Sequence, residues 1–167
     1  DGRLFATKQI QERLRFWRTK AGELSCKYTG IGPTGGFCLS KLHKNIGGNN
    51  CITRKYANSL VALLLHSSVL DLGCGLGQYG KHFIKQQINW TGYDGAENIE
   101  EVTDGWVKFL DLAEPNNMEK FDWVMSIEVA EHIPQKMEHV FFYNILNPVI
   151  NGTILTWAVP GQVGHHH

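Results

Sequence analysis

The sequence predicts a doubly wound α/β domain, and three observations support this prediction. Five short apolar runs alternate with helix-patterned stretches between Ser68 and Ala158. Such alternation requires crossover connections, which produce a mainly parallel sheet covered on both faces. A glycine cluster follows the first run and acidic residues follow later ones, so polar groups gather at the carboxyl edge, where such sheets bind ligands. A length of 167 residues suits a single domain of this kind.

Each element can be placed from its pattern. The expected strands are short apolar runs bounded by turn residues, at Ser68–Asp71, Asn89–Asp94, Gly105–Asp111, Phe121–Ile127 and Gly152–Ala158. The expected helices show apolar residues at helical spacing, at Leu4–Lys20, Arg54–His66, Gln78–Gln87 and Lys136–Leu146. The stretch Tyr28–Asn50 is rich in Gly, Asn and Thr and predicts an ordered loop or lid. We therefore divide the one domain into N-terminal helices with a lid loop, residues 1–66, and an α/β core, residues 67–167.

The composition is that of a globular protein without a strong electrostatic preference. Sixteen basic and sixteen acidic residues give a formal net charge of +0, which disfavours nucleic acid or an anionic membrane as a partner. The longest apolar run, around Leu60 to Leu65, is far shorter than the roughly 20 residues of a membrane span. The 4 cysteines show no zinc spacing. Free thiols and a cytoplasmic location are therefore expected, with a disulfide and the secretory pathway as the alternative.

The segment Val69–Gly80 turns a strand into a helix through Gly73, Gly75 and Gly77. Glycines allow a sharp turn and let a ligand lie against bare backbone, while the amides at the helix start point towards it. A dinucleotide site uses G-x-G-x-x-G there to seat a pyrophosphate. Here the spacing is G-x-G-x-G, and Asp71 precedes it, so the site suits a cationic ligand better than a pyrophosphate. The alternative is a tight strand–helix turn that binds nothing.

The run D-L-G-C-G-x-G resembles the first motif of class I S-adenosylmethionine (SAM) dependent methyltransferases, and the similarity extends from about Val61 to His167. The resemblance implies a Rossmann-like core with an N-terminal helical cap, SAM as cofactor and no metal. It implies cofactor contacts from Asp71, Gly73, Cys74, Gly75, Gly77, Tyr93, Asp94, Gly95, Asp111, Leu112, Ile127 and Glu128. In that family an acid after the second strand holds the ribose hydroxyls, which matches Asp94, and an Asp-Leu pair binds the adenine edge, which matches Asp111 and Leu112. The alternatives are a turn residue for Asp94 and a helix cap for Asp111.

Two further segments resemble methyltransferases near the acceptor. Residues 126–134 are similar to the E-V-x-E-H-x-P segment of small-molecule methyltransferases, which implies catalytic roles for Glu128 and His132. On a helical turn these two would share one face, and one of them could accept the proton of the acceptor. The alternative is that His132 only packs. Residues 157–167 are similar to a W-A-x-P-G-Q-x-G-H-x-H segment in a subgroup of animal methyltransferase-like proteins, which adds His165, unless the terminal histidines are a tag remnant.

The sheet of this family ordinarily ends with two more strands, the last one antiparallel, and no sequence follows His167 to form them. A free sheet edge would favour pairing of two copies. We expect methyl transfer from SAM to a small-molecule acceptor. The alternatives are a SAM-binding protein without catalysis, a protein methyltransferase and a nicotinamide-dependent oxidoreductase.

Overall fold

The computed structural model describes residues 54–159 and part of a helical N-terminal segment, namely Leu14, Trp17, Lys20, Ala21, Gly22, Leu24, Ser25, Lys27 and Tyr28. Several sequence expectations lie outside these residues. They are most of the helix at Leu4–Lys20, nearly all of the loop at Tyr28–Asn50, Cys26, Cys38, Cys51 and His165.

Within the described residues, five parallel strands form one sheet. They are β1 (Ser68–Leu72), β2 (Asn89–Asp94), β3 (Lys108–Phe109), β4 (Phe121–Ser126) and β5 (Val149–Leu155). The spatial order is β3-β2-β1-β4-β5, and β1 pairs with β2 on one side and with β4 on the other. The strand order therefore reverses beside β1. Sheets of this kind bind ligands at such a point, outside the carboxyl ends of the strands. The predicted fold class is confirmed.

One helix precedes β1, and the others lie in connections between the strands. They are α1 (Arg54–Leu64), α2 (Gln78–Ile84), α3 (Ile99–Val102) and α4 (Glu138–Leu146), with 3₁₀ helices at Ala130–His132 and Gln135–Met137. The four residues of α3 were not expected, because so short a helix shows no periodicity. Strand β3 is much shorter than expected, since Gly105 has a φ of 75° and the chain is still turning there.

Successive side chains of a strand point to opposite faces of the sheet. Helices pack against the side chains on both faces. Val69 packs with Leu64 of α1 and Phe83 of α2 on one face. Leu70 packs with Phe141 of α4 on the other face. All of these side chains are fully buried, and each contributes about 1.5–3 kcal/mol relative to an exposed position. The continuous apolar runs of the sequence follow from this double burial.

Part of the N-terminal segment reaches the carboxyl edge of the sheet. Gly22 is helical and buried, and a Cβ added there would lie 2.8 Å from Cγ of Glu97, which follows β2. Glycine therefore permits the close approach of this segment to the loop after β2, where a helical cap was predicted. No helix among the described residues has both the length and the apolar character needed to cross a membrane.

Candidate functional site

The glycine turn joins β1 to α2 and is tied to the end of β2. The backbone N–H groups of Gly73 and Cys74 both donate to the carbonyl oxygen of Tyr93, over 2.8 and 3.1 Å. The N–H of Gly77 donates to the carbonyl oxygen of Cys74 over 3.0 Å and closes the turn. The turn is thus held in place by the neighbouring strand before any ligand is considered.

All three glycines of the turn have left-handed backbone conformations, with φ values of 79°, 55° and 67° for Gly73, Gly75 and Gly77. Their surroundings differ. A Cβ on Gly73 would lie 2.4 Å from Cγ2 of Val129, and one on Gly77 would lie 2.4 Å from Nε1 of Trp106. A Cβ on Gly75 would meet no atom within 4 Å. Gly75 is therefore the glycine of this turn that exposes bare backbone to open space.

Asp94, the last residue of β2, connects its strand to the turn. Its Oδ2 accepts a hydrogen bond from the N–H of Gly75 over 2.8 Å, and its Oδ1 accepts one from the N–H of Ala96 over 2.9 Å. Burial raises the pKa of Asp94, while these two N–H donors lower it in part. A carboxylate oxygen has capacity for more than one hydrogen bond, so these contacts leave Asp94 able to accept further donors.

Asp71 lies below the turn and is 2% exposed. Its Oδ2 accepts a hydrogen bond from the indole Nε1 of Trp90 over 3.1 Å. Burial raises the pKa of Asp71 to about 7, the Trp90 donor opposes this shift, and the charge of Asp94 adds to it. Burial also raises the pKa of the Cys74 thiol well above its usual range, and the charges of Asp71 and Asp94 act in the same direction. The floor of the site therefore carries an acid that changes its charge near neutral pH.

Trp90 is a residue that sequence reasoning missed. Its ring stacks on that of Trp106, with 4.9 Å between ring centroids. A Cβ on Gly80 or on Gly92 would lie 2.3 or 2.2 Å from the Trp90 ring, so both glycines make room for it. The available signal was a glycine two residues after a tryptophan in the same buried strand, which indicates close packing of a large ring.

Asp111 and Leu112 follow β3 and are both buried. The Oδ1 of Asp111 accepts a hydrogen bond from the N–H of Ala113 over 2.9 Å, as in a turn-capping aspartate. The carbonyl oxygen of Leu112 accepts one from Nδ2 of Asn144 over 3.0 Å. Gly95 lies nearby, since a Cβ there would be 3.6 Å from the carbonyl oxygen of Leu110. The structure thus brings the residues after β2 and β3 to one edge and gives the Asp111 side chain a local structural role.

The chain directly after β4 contains a residue with a left-handed backbone conformation. Ile127 is half-buried and packs against the core, whereas Glu128 is exposed and has a φ of 56°. The helical turn expected to carry Glu128 and His132 begins only at Ala130, so Glu128 lies outside it. The two side chains therefore do not share a helical face, because the left-handed residue interrupts the turn.

Two more residues of this region were not found from the sequence. The hydroxyl of Thr156 is hydrogen-bonded to both the backbone and the carboxylate of Glu128. Glu131 is 1% exposed, and neither of its carboxylate oxygens has a hydrogen-bond partner within the described part of the chain. Glu131 is the second glutamate of the E-V-x-E-H-x-P segment, which was the available signal, but no role was predicted for it. The described residues include no group of three or more His, Cys, Asp or Glu side chains placed to hold a metal ion.

Comparison with known sequences identifies the family of this chain. A family profile described as a methyltransferase domain matches residues 43–149, which include the glycine turn, Asp94 and Asp111. The chain belongs to this methyltransferase family. The predicted enzyme class is confirmed at this level, and so is SAM as the cofactor of the family. No curated protein sequence matches the chain.

Three solved structures illustrate the likeness in fold, and two of them are named as methyltransferases. The methyltransferase domain of bacterial CtHen1-CN has a TM-score of 0.52 and 19% identity, over 61% of this chain and 64% of that one. TehB from Haemophilus influenzae has a TM-score of 0.53 and 18% identity, over 62% and 39%. Magnesium protoporphyrin IX methyltransferase from Synechocystis PCC 6803, solved with bound SAM, has a TM-score of 0.52 and 21% identity, over 64% and 59%. The chain thus spans less than two thirds of each of these proteins, and the likeness is one of fold.

Proposed function

We propose that this chain binds SAM across the carboxyl ends of β1 and β2 and transfers its methyl group to a small-molecule acceptor by in-line displacement. One observation carries the proposal: bare backbone at Gly75 faces open space, and the Asp94 carboxylate lies beside it, 2.8 Å from its nitrogen. This is a cradle for a ligand that has hydroxyl donors and lies flat against the chain.

The residues of the cradle fit the adenosyl part of SAM. Asp94 is hydrogen-bonded to two backbone N–H groups, which hold its carboxylate in one orientation, and it retains lone pairs for two ribose hydroxyls. Gly95 and Tyr93 flank Asp94 in sequence and would lie beside the ribose. Asp111 and Leu112 would border the adenine, with the Asp111 carboxylate accepting from the amino group and the Leu112 N–H donating to the ring.

The turn and its floor fit the cationic end of the cofactor. Gly73, Cys74, Gly75 and Gly77 form the backbone that would enclose the amino acid moiety. Asp71 lies under this turn, and an ionised carboxylate there favours a nearby positive charge. A pyrophosphate in the same place would face the Asp71 carboxylate, whereas Asp94, as a ribose ligand, would suit either cofactor. This charge arrangement supports SAM over a nicotinamide dinucleotide.

The acceptor would approach from the ends of β4 and β5. Bound SAM supplies an activated methyl group, so the work left to the protein is to align the acceptor and exclude water. Well-oriented reactants gain on the order of 7–11 kcal/mol in this way. Ile127 and Glu128 would contact the cofactor near the reacting centre, and Glu128, His132 or His165 would take the proton from the acceptor. The proposed role of His165 depends on the likeness of residues 157–167 to the animal methyltransferase-like subgroup.

A small molecule is the favoured acceptor. The neutral charge disfavours nucleic acid. One protein of the same fold is named for methylation of magnesium protoporphyrin IX, a small molecule. A cytoplasmic location and pairing of two copies remain predictions.

Two measurements test the proposal. Titration calorimetry with SAM and with NAD should show binding of SAM alone, and binding of NAD alone would overturn the proposal. A methyl-release screen with SAM across pools of small molecules should then show turnover. Binding of SAM without turnover on any small-molecule or protein pool would support the second candidate, a SAM-binding protein without catalysis.

A further inference from the structure

The backbone of Glu128 is held in a conformation that a residue with a side chain rarely adopts. Its φ of 56° lies in the left-handed region, and it is the second residue after the end of β4. Such strain persists only where the surrounding structure enforces it, and it concentrates at functional sites. The conformation therefore needs a specific partner that holds it.

Thr156 is that partner. The N–H of Glu128 donates to Oγ1 of Thr156 over 2.8 Å, and the Thr156 hydroxyl donates to Oε1 of Glu128 over 2.8 Å. The N–H of Thr156 also donates to the carbonyl oxygen of Ser126 over 3.2 Å. Since Ser126 and Leu155 are paired residues of β4 and β5, Thr156 is anchored to the sheet while it holds Glu128.

The direction of these hydrogen bonds is fixed. A threonine hydroxyl has one proton, and its oxygen already accepts from the Glu128 N–H, so the proton is left to point at the Glu128 carboxylate. One hydroxyl thus sets both the backbone and the side chain of Glu128. An exposed glutamate that served only solubility would gain little from being ordered in this way, because ordering a long side chain costs conformational entropy.

We infer that Thr156 is a positioning residue of the methyl-transfer site, which acts by fixing the direction in which Glu128 presents its carboxylate. This inference rests on the proposed function, since it takes Glu128 to contact SAM or the acceptor. It adds the residue directly after β5 to a site otherwise built at the ends of β1, β2, β3 and β4. The hydroxyl, and not the bulk of the side chain, is the required group.

The chain offers matched variants for a test. Thr156→Ser keeps the hydroxyl, and Thr156→Val keeps the shape without it. Thr153→Val removes a hydroxyl from β5, three residues before Thr156, and leaves the two hydrogen bonds between Thr156 and Glu128 in place. Glu128→Gly removes the carboxylate and also the strain, because glycine adopts a positive φ readily.

The first measurement needs no ligand. Hydrogen exchange of the Glu128 amide, followed by NMR in the full chain, should accelerate by about tenfold or more in Thr156→Val and stay within about threefold of wild type in Thr156→Ser and Thr153→Val, as expected for loss of one hydrogen bond. Unchanged exchange in Thr156→Val would overturn the inference, whether or not the protein binds SAM.

The second measurement is SAM affinity by calorimetry. Thr156→Val should weaken binding by about threefold to tenfold, and Thr156→Ser should restore it. In the Glu128→Gly background, Thr156→Val should change the affinity by less than about twofold, because the two residues act as one unit. Equal losses in both backgrounds would show that Thr156 does not act through Glu128. Failure of the wild type to bind SAM would instead contradict the proposed function. The exchange rates would still show whether Thr156 holds the Glu128 amide.

Discussion

The carboxylate of Asp94 accepts a hydrogen bond from the backbone N–H of Gly75 over 2.8 Å. The end of β2 and the turn after β1 therefore form one structural unit, although the two residues are 19 positions apart in the sequence. Because Gly75 also faces open space, a ligand that contacts its backbone must lie next to Asp94. Ligand affinity should consequently depend on both residues, and substitution of each residue should show its own contribution.

Replacement of Asp94 tests the ribose contact. Asp94→Ala removes both carboxylate oxygens, and we expect SAM binding to weaken by at least about tenfold, which is about 1.4 kcal/mol. Asp94→Asn retains one acceptor oxygen and should lose less. Calorimetry with SAM measures the effect, and Glu119→Ala, an exposed acid before β4, is the control. Equal affinity in wild type and Asp94→Ala would contradict the ribose assignment.

The position of Asp94 was predictable from the sequence, and the reason is topological. An acid that ends the second strand of a doubly wound sheet must lie at the same edge as the glycine turn after the first strand. No side-chain packing needs to be known for this step. The same reasoning placed Asp111 at that edge.

Side-chain partners were not predictable in the same way. Nothing in the sequence indicates that the Asp71 carboxylate meets the Trp90 indole, because that contact depends on the pairing of β1 with β2 and on the space left by Gly92. The expected helical turn through Glu128 also failed, and the reason is distant in the sequence. Its left-handed φ depends on hydrogen bonds to Thr156, a residue 28 positions away.

Two glycine substitutions separate ligand contact from folding. Gly75→Ala should weaken SAM binding strongly with a modest loss of stability, since its Cβ enters open space that the ligand would fill and only the positive φ is strained. Gly73→Ala should lower the free energy of unfolding more, because its Cβ also collides with Val129. Urea unfolding and calorimetry on both variants check this. A larger stability loss in Gly75→Ala than in Gly73→Ala would contradict the assignment.

Substitution within α2 tests the packing of Trp90. Alanine normally stabilises a helix interior by about 1 kcal/mol relative to glycine. Gly80→Ala should nevertheless destabilise the protein, because the added Cβ would lie 2.3 Å from the Trp90 ring. Thermal unfolding measures the effect. Trp90→Phe in the same chain should recover part of the loss, as its smaller ring leaves more room, and a stabilising Gly80→Ala would show that the ring does not occupy this space.

The charge state of Asp71 makes a prediction about pH. Burial raises the pKa of Asp71 from 3.8 to about 7, so the folded chain keeps this proton up to neutral pH, whereas the unfolded chain releases it near pH 4. The unfolded state is therefore favoured as the pH rises through this window, and the stability from protonated Asp71 is lost by about pH 7. Asp71→Asn does not titrate, so its stability relative to wild type should rise between about pH 5 and about pH 7 and stay constant at higher pH.

Urea unfolding across that range measures the difference, and Asp122→Asn is the matched control. Donors on Ser68 lower the pKa of Asp122, so any stability linked to its charge is lost only as the pH falls below about 4. The difference between wild type and Asp122→Asn should accordingly be constant from about pH 5 upwards. A constant difference for Asp71→Asn as well would mean that Asp71 is already ionised at the acidic end, so the Trp90 donor would outweigh the burial that opposes its charge.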